Sequence, residues 1–145
     1  MKDPDTAGIR FDTALPPIDT YRALFETTGW NEGYRASTEE LRLTLERSWC
    51  FIAAWEPHHG LVGIGRVVSD GVLYGMIYDV IVHPSHQGRG IGTAITDRLI
   101  DRCRQGGLRE IQLFSAEGKA GFYRRFGFEE RPPTAPGMRL RPGKA

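Results

Sequence analysis

Apolar positions along this chain follow two periodicities that trade places several times. Ile9 to Ala14 reads as a short strand, and Pro16-Pro17 lead into a segment whose Tyr21, Leu24 and Phe25 share one helical face until Gly29. Ser37-Thr38-Glu39-Glu40 is a capping box and predicts a second helix with Leu41 and Leu45 on one side. Strand-like runs follow at about Trp49 to Trp55 and Leu61 to Ser69, joined by Glu56-Pro57-His58-His59-Gly60. Asp70-Gly71 marks a tight turn before Met76-Ile77-Tyr78-Asp79-Val80-Ile81-Val82, a strand stopped at His83-Pro84. Ile91, Ala94, Ile95, Leu99 and Cys103 then return to helical spacing up to Gly106-Gly107, and Ile111-Gln112-Leu113-Phe114 reads as the next strand. This order predicts a mixed α/β sheet with a helical crossover near its end, in a single domain spanning 1–145 without repeats or an internal linker.

Composition narrows the function classes. With 145 residues and 40% hydrophobic content the chain has enough apolar surface for one core. A formal charge of +1 gives no global attraction to nucleic acid or membrane, and neither is expected as a partner. The basic residues Arg124, Arg125, Arg131, Arg139, Arg141 and Lys144 are read as a solvated tail. No apolar run approaches a membrane span, and Met1-Lys2-Asp3-Pro4-Asp5 lacks a signal peptide's apolar segment, so a cytoplasmic protein is expected. Cys50 and Cys103 sit in apolar segments outside any C-x-x-C spacing and are read as buried core thiols. His58, His59, His83 and His86 are read as surface residues. No carboxylate or thiol cluster accompanies them in the sequence, so no metal is expected.

The chemistry concentrates in Gln87-Gly88-Arg89-Gly90-Ile91-Gly92-Thr93, which lies between the Asp79 strand and the following helix. Glycines there permit positive φ and leave room for a phosphate to approach the main chain, while the helix start adds unpaired N–H groups. A nucleoside-triphosphate loop needs Lys-Ser/Thr after its last glycine, and Thr93-Ala94 stand there instead. A dinucleotide loop needs G-x-G-x-x-G directly after its strand. Here the order is G-x-G-x-G behind Pro-Ser-His-Gln, although Glu117 imitates the ribose-binding acid.

The Gln-x-x-Gly-x-Gly spacing behind a hydrophobic strand resembles the coenzyme A loop of the GCN5-related N-acetyltransferases (GNAT). Lys119-Ala120-Gly121-Phe122-Tyr123-Arg124-Arg125-Phe126-Gly127-Phe128 resembles that family's short Phe-Tyr helix. The likeness runs from about Leu61 to Met138. It is nearest to the small bacterial and plant serotonin N-acetyltransferase-like branch, through the aromatic-Asp-Val strand, the His-Pro-Ser-x-Gln-Gly approach and the late Gly-Met. It implies a mostly antiparallel central sheet of six to seven strands, helices on both faces, and a splayed strand pair that forms the acetyl-CoA cleft. It also implies acetyl-CoA as cosubstrate. Main-chain groups of Val80, Ile81 and Val82 would hold the pantetheine arm as a pseudo-strand. The amides of Gln87, Gly88, Arg89, Gly90, Ile91, Gly92 and Thr93 would hold the pyrophosphate. Lys119, Phe122, Tyr123 and Arg125 complete the expected coenzyme contacts, with a plain surface role for Arg89, Lys119 and Arg125 equally open.

An alkylamine with a pKa of about 10.4 is almost wholly protonated at neutral pH, a deficit of roughly 4 to 5 kcal/mol, so a proton acceptor is required. Asp79 is the candidate, directly or through water. A structural aspartate bonded to backbone amides is the alternative, and alternation puts Tyr78 and Asp79 on opposite faces unless the strand bulges. A backbone N–H near Ile81 or Val82 would hold the carbonyl oxygen, and the resemblance makes Tyr123 the acid that protonates the departing thiolate. Trp30, Tyr34 and Tyr78 are candidates to line the acceptor pocket, with core anchoring the competing role for Trp30 and Tyr34. The expectation is direct acetyl transfer, in a ternary complex, to a small primary amine, with an arylalkylamine as one acceptor class. Transfer to a protein N-terminus or lysine, and an acyl-CoA-binding regulatory module without turnover, remain the alternatives. Many relatives form homodimers, but no interface is legible here.

Overall fold

In the computed structural model, which describes residues 6–141, the Pro-His-His-Gly turn closes a hairpin between β2 (Cys50–Glu56) and β3 (Gly60–Ser69). Met1 to Asp5 and Lys144, on which the leader and tail expectations partly rest, lie outside the described residues. β4 (Tyr74–Val82) runs antiparallel to β3, and β1 (Arg10–Asp12) adds to the other side of β2. The turn between β3 and β4 is built on Asp70, whose Oδ1 accepts the N–H groups of Val72, Leu73 and Tyr74; these bonds hold its carboxyl below the usual range. Helix α4 (Ile91–Gln105) then carries the chain across the sheet to β5 (Glu110–Leu113), which pairs parallel to β4 and completes the order β1-β2-β3-β4-β5.

Five strands form among the described residues, as many as the apolar runs contain and fewer than the six to seven that the resemblance implied. Beyond β5, the stretch Arg131-Pro132-Pro133-Thr134-Ala135-Pro136 carries three prolines that have no N–H to give a ladder. The chain divides into two compact units at the Leu113-Phe114 junction. The second unit holds one short helix, α5 (Ala120–Arg124), with Phe122, Tyr123, Phe126 and Phe128 packed edge to face at centroid distances of 5.0 to 6.1 Å.

In the first unit the helices take opposite faces of the sheet. Helix α1 (Ile18–Glu26) ends where Thr27 and Thr28 hydroxyls bond the carbonyls of Leu24 and Phe25 and Gly29 takes φ 75°. A single-turn helix, α2 (Asn31–Tyr34), follows where only a connection was expected. Asn31 holds it by bracketing Ala36, its side chain bonding both the N–H and the carbonyl. Helix α3 (Thr38–Glu46) begins on the capping box as read: Ser37 Oγ accepts from Glu40 N at 3.1 Å and Glu40 accepts from Ser37 N at 3.0 Å. Tyr21, Leu24, Phe25, Leu41 and Leu45 bury themselves against Ala53, Leu61, Ile64 and Ile81.

Alternate positions of β3 turn the other way, and two of them are glycines. A Cβ on Gly63 would stand 2.9 Å from Ile95, and one on Gly65 would stand 2.8 Å from Ile95 and 2.9 Å from Leu99, so α4 lies directly on the strand backbone. Both partners are fully buried and have no room to move. Replacement of Gly65 by valine is therefore expected to lower the urea-unfolding free energy by about 1–3 kcal/mol, the usual cost of overpacking.

Tyr21 is fully buried, and its hydroxyl has no hydrogen-bond partner among the described residues. Burial, and secondarily the charge of Asp79, pushes its pKa up to about 12. The unfolded phenol ionises near 10, so this side chain's contribution is complete below pH 10 and is lost as pH rises toward 12. Tyr21→Phe should leave neutral-pH stability within about 1 kcal/mol of wild type, since no bond is broken. It should also flatten the alkaline fall between those pH values, as read by denaturant titrations across pH.

Candidate active site

The register of β3 against β4 slips once. Ile64 pairs with Ile81 and Arg66 with Tyr78, so Gly65 faces two residues, Asp79 and Val80. This is a β-bulge, and Asp79 absorbs it with φ 54°, a left-handed conformation that aspartate tolerates better than most side chains. The extra residue resets the alternation. Asp79 Oδ2 accepts from Arg66 Nε at 2.8 Å, and the same guanidinium lies 5.7 Å from the Tyr78 ring centroid, so Tyr78 and Asp79 share the Arg66 side of the sheet. Val80 turns toward α4, close to Gly65.

Asp79 is thus an ion-pair partner, largely shielded from solvent, and Arg66 is a residue that the sequence reading passed over. Its signal was present: a lone arginine inside the apolar run Leu61 to Val68 needs an acid beneath it. Nη1 of Arg66 reaches on to the Thr44 carbonyl at 3.5 Å and to Ser48 Oγ at 3.4 Å, tying the bulge to the end of α3. The structural alternative for Asp79 named backbone amides as its partners; the partner is a guanidinium.

β5 pairs with β4 only from Tyr74↔Glu110 to Ile77↔Leu113, while β4 continues to Val82. From Tyr78 onward one edge of β4 has no strand beside it among the described residues. His83 N–H bonds the Val62 carbonyl on the β3 side, so alternation turns the Val82 N–H and carbonyl to the open edge and keeps the Ile81 amide in the ladder. Gln87 Nε2 bonds the Val82 carbonyl at 3.2 Å on that same edge. Of the two amides expected to be free, Val82 is the one exposed by register.

The strand runs directly into the glycine loop. Pro84–His86 form a turn of 3-10 helix, Gly88 takes φ 82° and Gly90 φ 85°, and Gly90 is the N-cap of α4. A glycine cap brings no side-chain acceptor, so the first-turn amides of Ile91, Gly92 and Thr93 are left for an anion. Their side chains do not take part: Ile91 is buried in the core, Thr93 is buried, and Gly92 has an ordinary helical φ.

His58 and His59 are exposed, as read, and His86 departs from that reading. His86 is only 3% exposed, and Glu56, at the end of β2, stands beside it with Oε2 3.0 Å from Nε2. Arg89 Nη1 donates to that oxygen at 2.9 Å, and this bond does most to hold the Glu56 carboxyl below its usual range. Glu56 and His59 lie 30 and 27 residues before His86 in the chain, a separation that no short-range pattern reveals. Arg89, for which a phosphate contact and a surface role were equally open, pairs with Glu56.

Of the expected acceptor residues, Trp30 packs edge-on against Phe25 at 6.1 Å and is 38% exposed, Tyr34 is 75% exposed, and Tyr78 is 37% exposed. In the second unit Lys119 is the N-cap of α5 and Arg125 lies over the Phe122 ring at 5.0 Å. Burial pushes the Tyr123 hydroxyl's pKa up, which keeps it a proton carrier at neutral pH. Cys50 and Cys103 are both buried, as read, and burial raises both thiols, Cys103 to about 11. No helix among the described residues is long and apolar enough to cross a membrane.

The acetyltransferase (GNAT) domain model matches residues 46–130, the stretch that contains the bulge, the open edge, the glycine loop and α5. The chain is 36% identical over 107 residues to the chloroplastic serotonin N-acetyltransferase 2 of Oryza sativa subsp. japonica, covering 72% of this chain and 54% of that protein. It is 31% identical over 122 residues to the chloroplastic GCN5-related N-acetyltransferase 1 of Arabidopsis thaliana, covering 83% and 60% respectively. The chain spans between about a third and two thirds of the length of the curated relatives it matches. Among solved structures, a GNAT-family protein of Xanthomonas campestris pv. campestris superposes with a TM-score of 0.76 at 26% identity, covering 93% of this chain and 94% of the other. A Staphylococcus aureus protein superposes with a TM-score of 0.80 at 22% identity over 92% and 98%, which shows the shared fold. A domain match across more than half the chain, spanning β4, the glycine loop and α4, makes this protein a member of the GNAT acetyltransferase family.

Proposed function

We propose that the chain transfers an acetyl group from acetyl-CoA to a small primary amine by direct attack in a ternary complex. The observation that carries this reading is the unpartnered edge of β4 beyond Ile77, leading without interruption into the glycine loop and the bare N-terminus of α4. An extended pantetheine arm fits an open strand edge by main-chain bonds, and a pyrophosphate fits the amides of residues 88 to 93. The Val82 N–H is the donor best oriented for the thioester carbonyl oxygen, where negative charge grows as the amine attacks. Tyr123 returns a proton to the thiolate of coenzyme A, the role carried over from the family resemblance. Exposed Tyr78, with Trp30 and Tyr34, favours an arylalkylamine among acceptors, a reading that the name of the rice relative also supports.

Asp79 takes the amine's proton, directly or through water, from its place on the bulge. The Arg66 pair fixes the carboxylate's position and neutralises the arginine within the sheet.

A thiol-release assay with a panel of amines is expected to show coenzyme A production that depends on the acceptor and is greatest with arylalkylamines. Release with peptide acceptors alone would favour the protein-directed alternative, and none with any acceptor would favour a binding module. Asp79→Asn, with its fold verified by circular dichroism, should lose turnover at neutral pH and recover as pH approaches the amine's own pKa. A loss that stays constant across pH would leave Asp79 a structural role only.

A further inference from the structure

Glu56, His59 and His86 lie at the edge of the glycine loop, and acyl transfer uses none of them. They come from the end of β2, the hairpin turn and the 3-10 helix, and one donor atom from each lies within 4.8 Å of the other two. His59 is folded back by a bond from its N–H to the Glu56 carbonyl at 3.2 Å, and its ring meets that of His86 at 4.6 Å between centroids, 76° apart. His86 is buried and oriented from behind: Ser85 Oγ lies 2.7 Å from Nδ1, which directs Nε2 at the carboxylate. An oxygen partner on the far ring nitrogen is the support that orients metal-binding histidines. A structural role for Glu56 is already met by Arg89 and His86 and gives no account of the second, exposed imidazole.

We propose that Glu56, His59 and His86 bind one zinc ion, with water as the fourth ligand. Two imidazoles and a carboxylate are a donor set suited to zinc, and the spread of up to 4.8 Å closes by rotation of the exposed His59 ring. Arg89 is the competitor. Its guanidinium and His86 Nε2 both contact Oε2 of Glu56, so the ion displaces Arg89 and frees it within the glycine loop. The site depends only on these side chains and stands whether or not the acyl-transfer reading holds.

The test is calorimetric titration of the untagged, metal-stripped chain with zinc, alongside cobalt titration followed by visible absorption. One ion per chain and the strong visible bands of four-coordinate cobalt are expected. His59→Ala, at an exposed position, should weaken binding by at least about 100-fold, the upper end of the cost of losing even an indirect support. His58→Ala, next to the cluster but outside it, should bind as wild type does, and Arg89→Met should bind more tightly. Absence of binding to the wild-type chain, binding indifferent to His59, or an equal loss from His58→Ala would overturn the site. Unchanged affinity in Arg89→Met would overturn the competition with Arg89.

Discussion

One extra residue in β4, set against Gly65, governs the geometry of the site. The bulge can form there because Asp79 accepts a left-handed backbone and because Arg66 anchors its carboxylate from the opposing strand. It brings Tyr78 and Asp79 to one side, sends Val80 to the other, and lies just past Ile77, the last residue at which β4 pairs with β5. Without it, strict alternation would separate Tyr78 from Asp79 and return the strand to a regular ladder.

The two glycines of β3 serve the same end from the opposite face. They let α4 settle on the sheet, and the start of that helix is the anion-binding end of the site. Close helix packing and an exposed helix N-terminus are therefore linked: the core side chains Ile91, Ile95 and Leu99 fix the axis along which the free amides point.

Much of this could be read in the chain because it depends on local rules. The capping box at Ser37, the Asp70-Gly71 turn, the helix from Ile91 and the glycine loop each follow from residues within a few positions of one another. The bulge could be named only as a condition, since register depends on a partner strand that a single sequence does not align. Glu56 beside His86 and Arg66 beside Asp79 lay beyond sequence reading for the same reason: tertiary contact joins residues 30 and 13 positions apart. The strand count went the other way. The apolar runs gave five, and the higher number came from the resemblance, which proline-rich residues after Gly127 do not honour among the described positions.

Gln87 is tied to the Val82 carbonyl, Arg89 to Glu56, and His86 is sealed beneath them. The loop therefore has little configurational freedom left to surrender when an anion arrives. Its guest would meet a surface already in shape, so affinity there is set by contacts made rather than by the entropy of ordering a floppy segment.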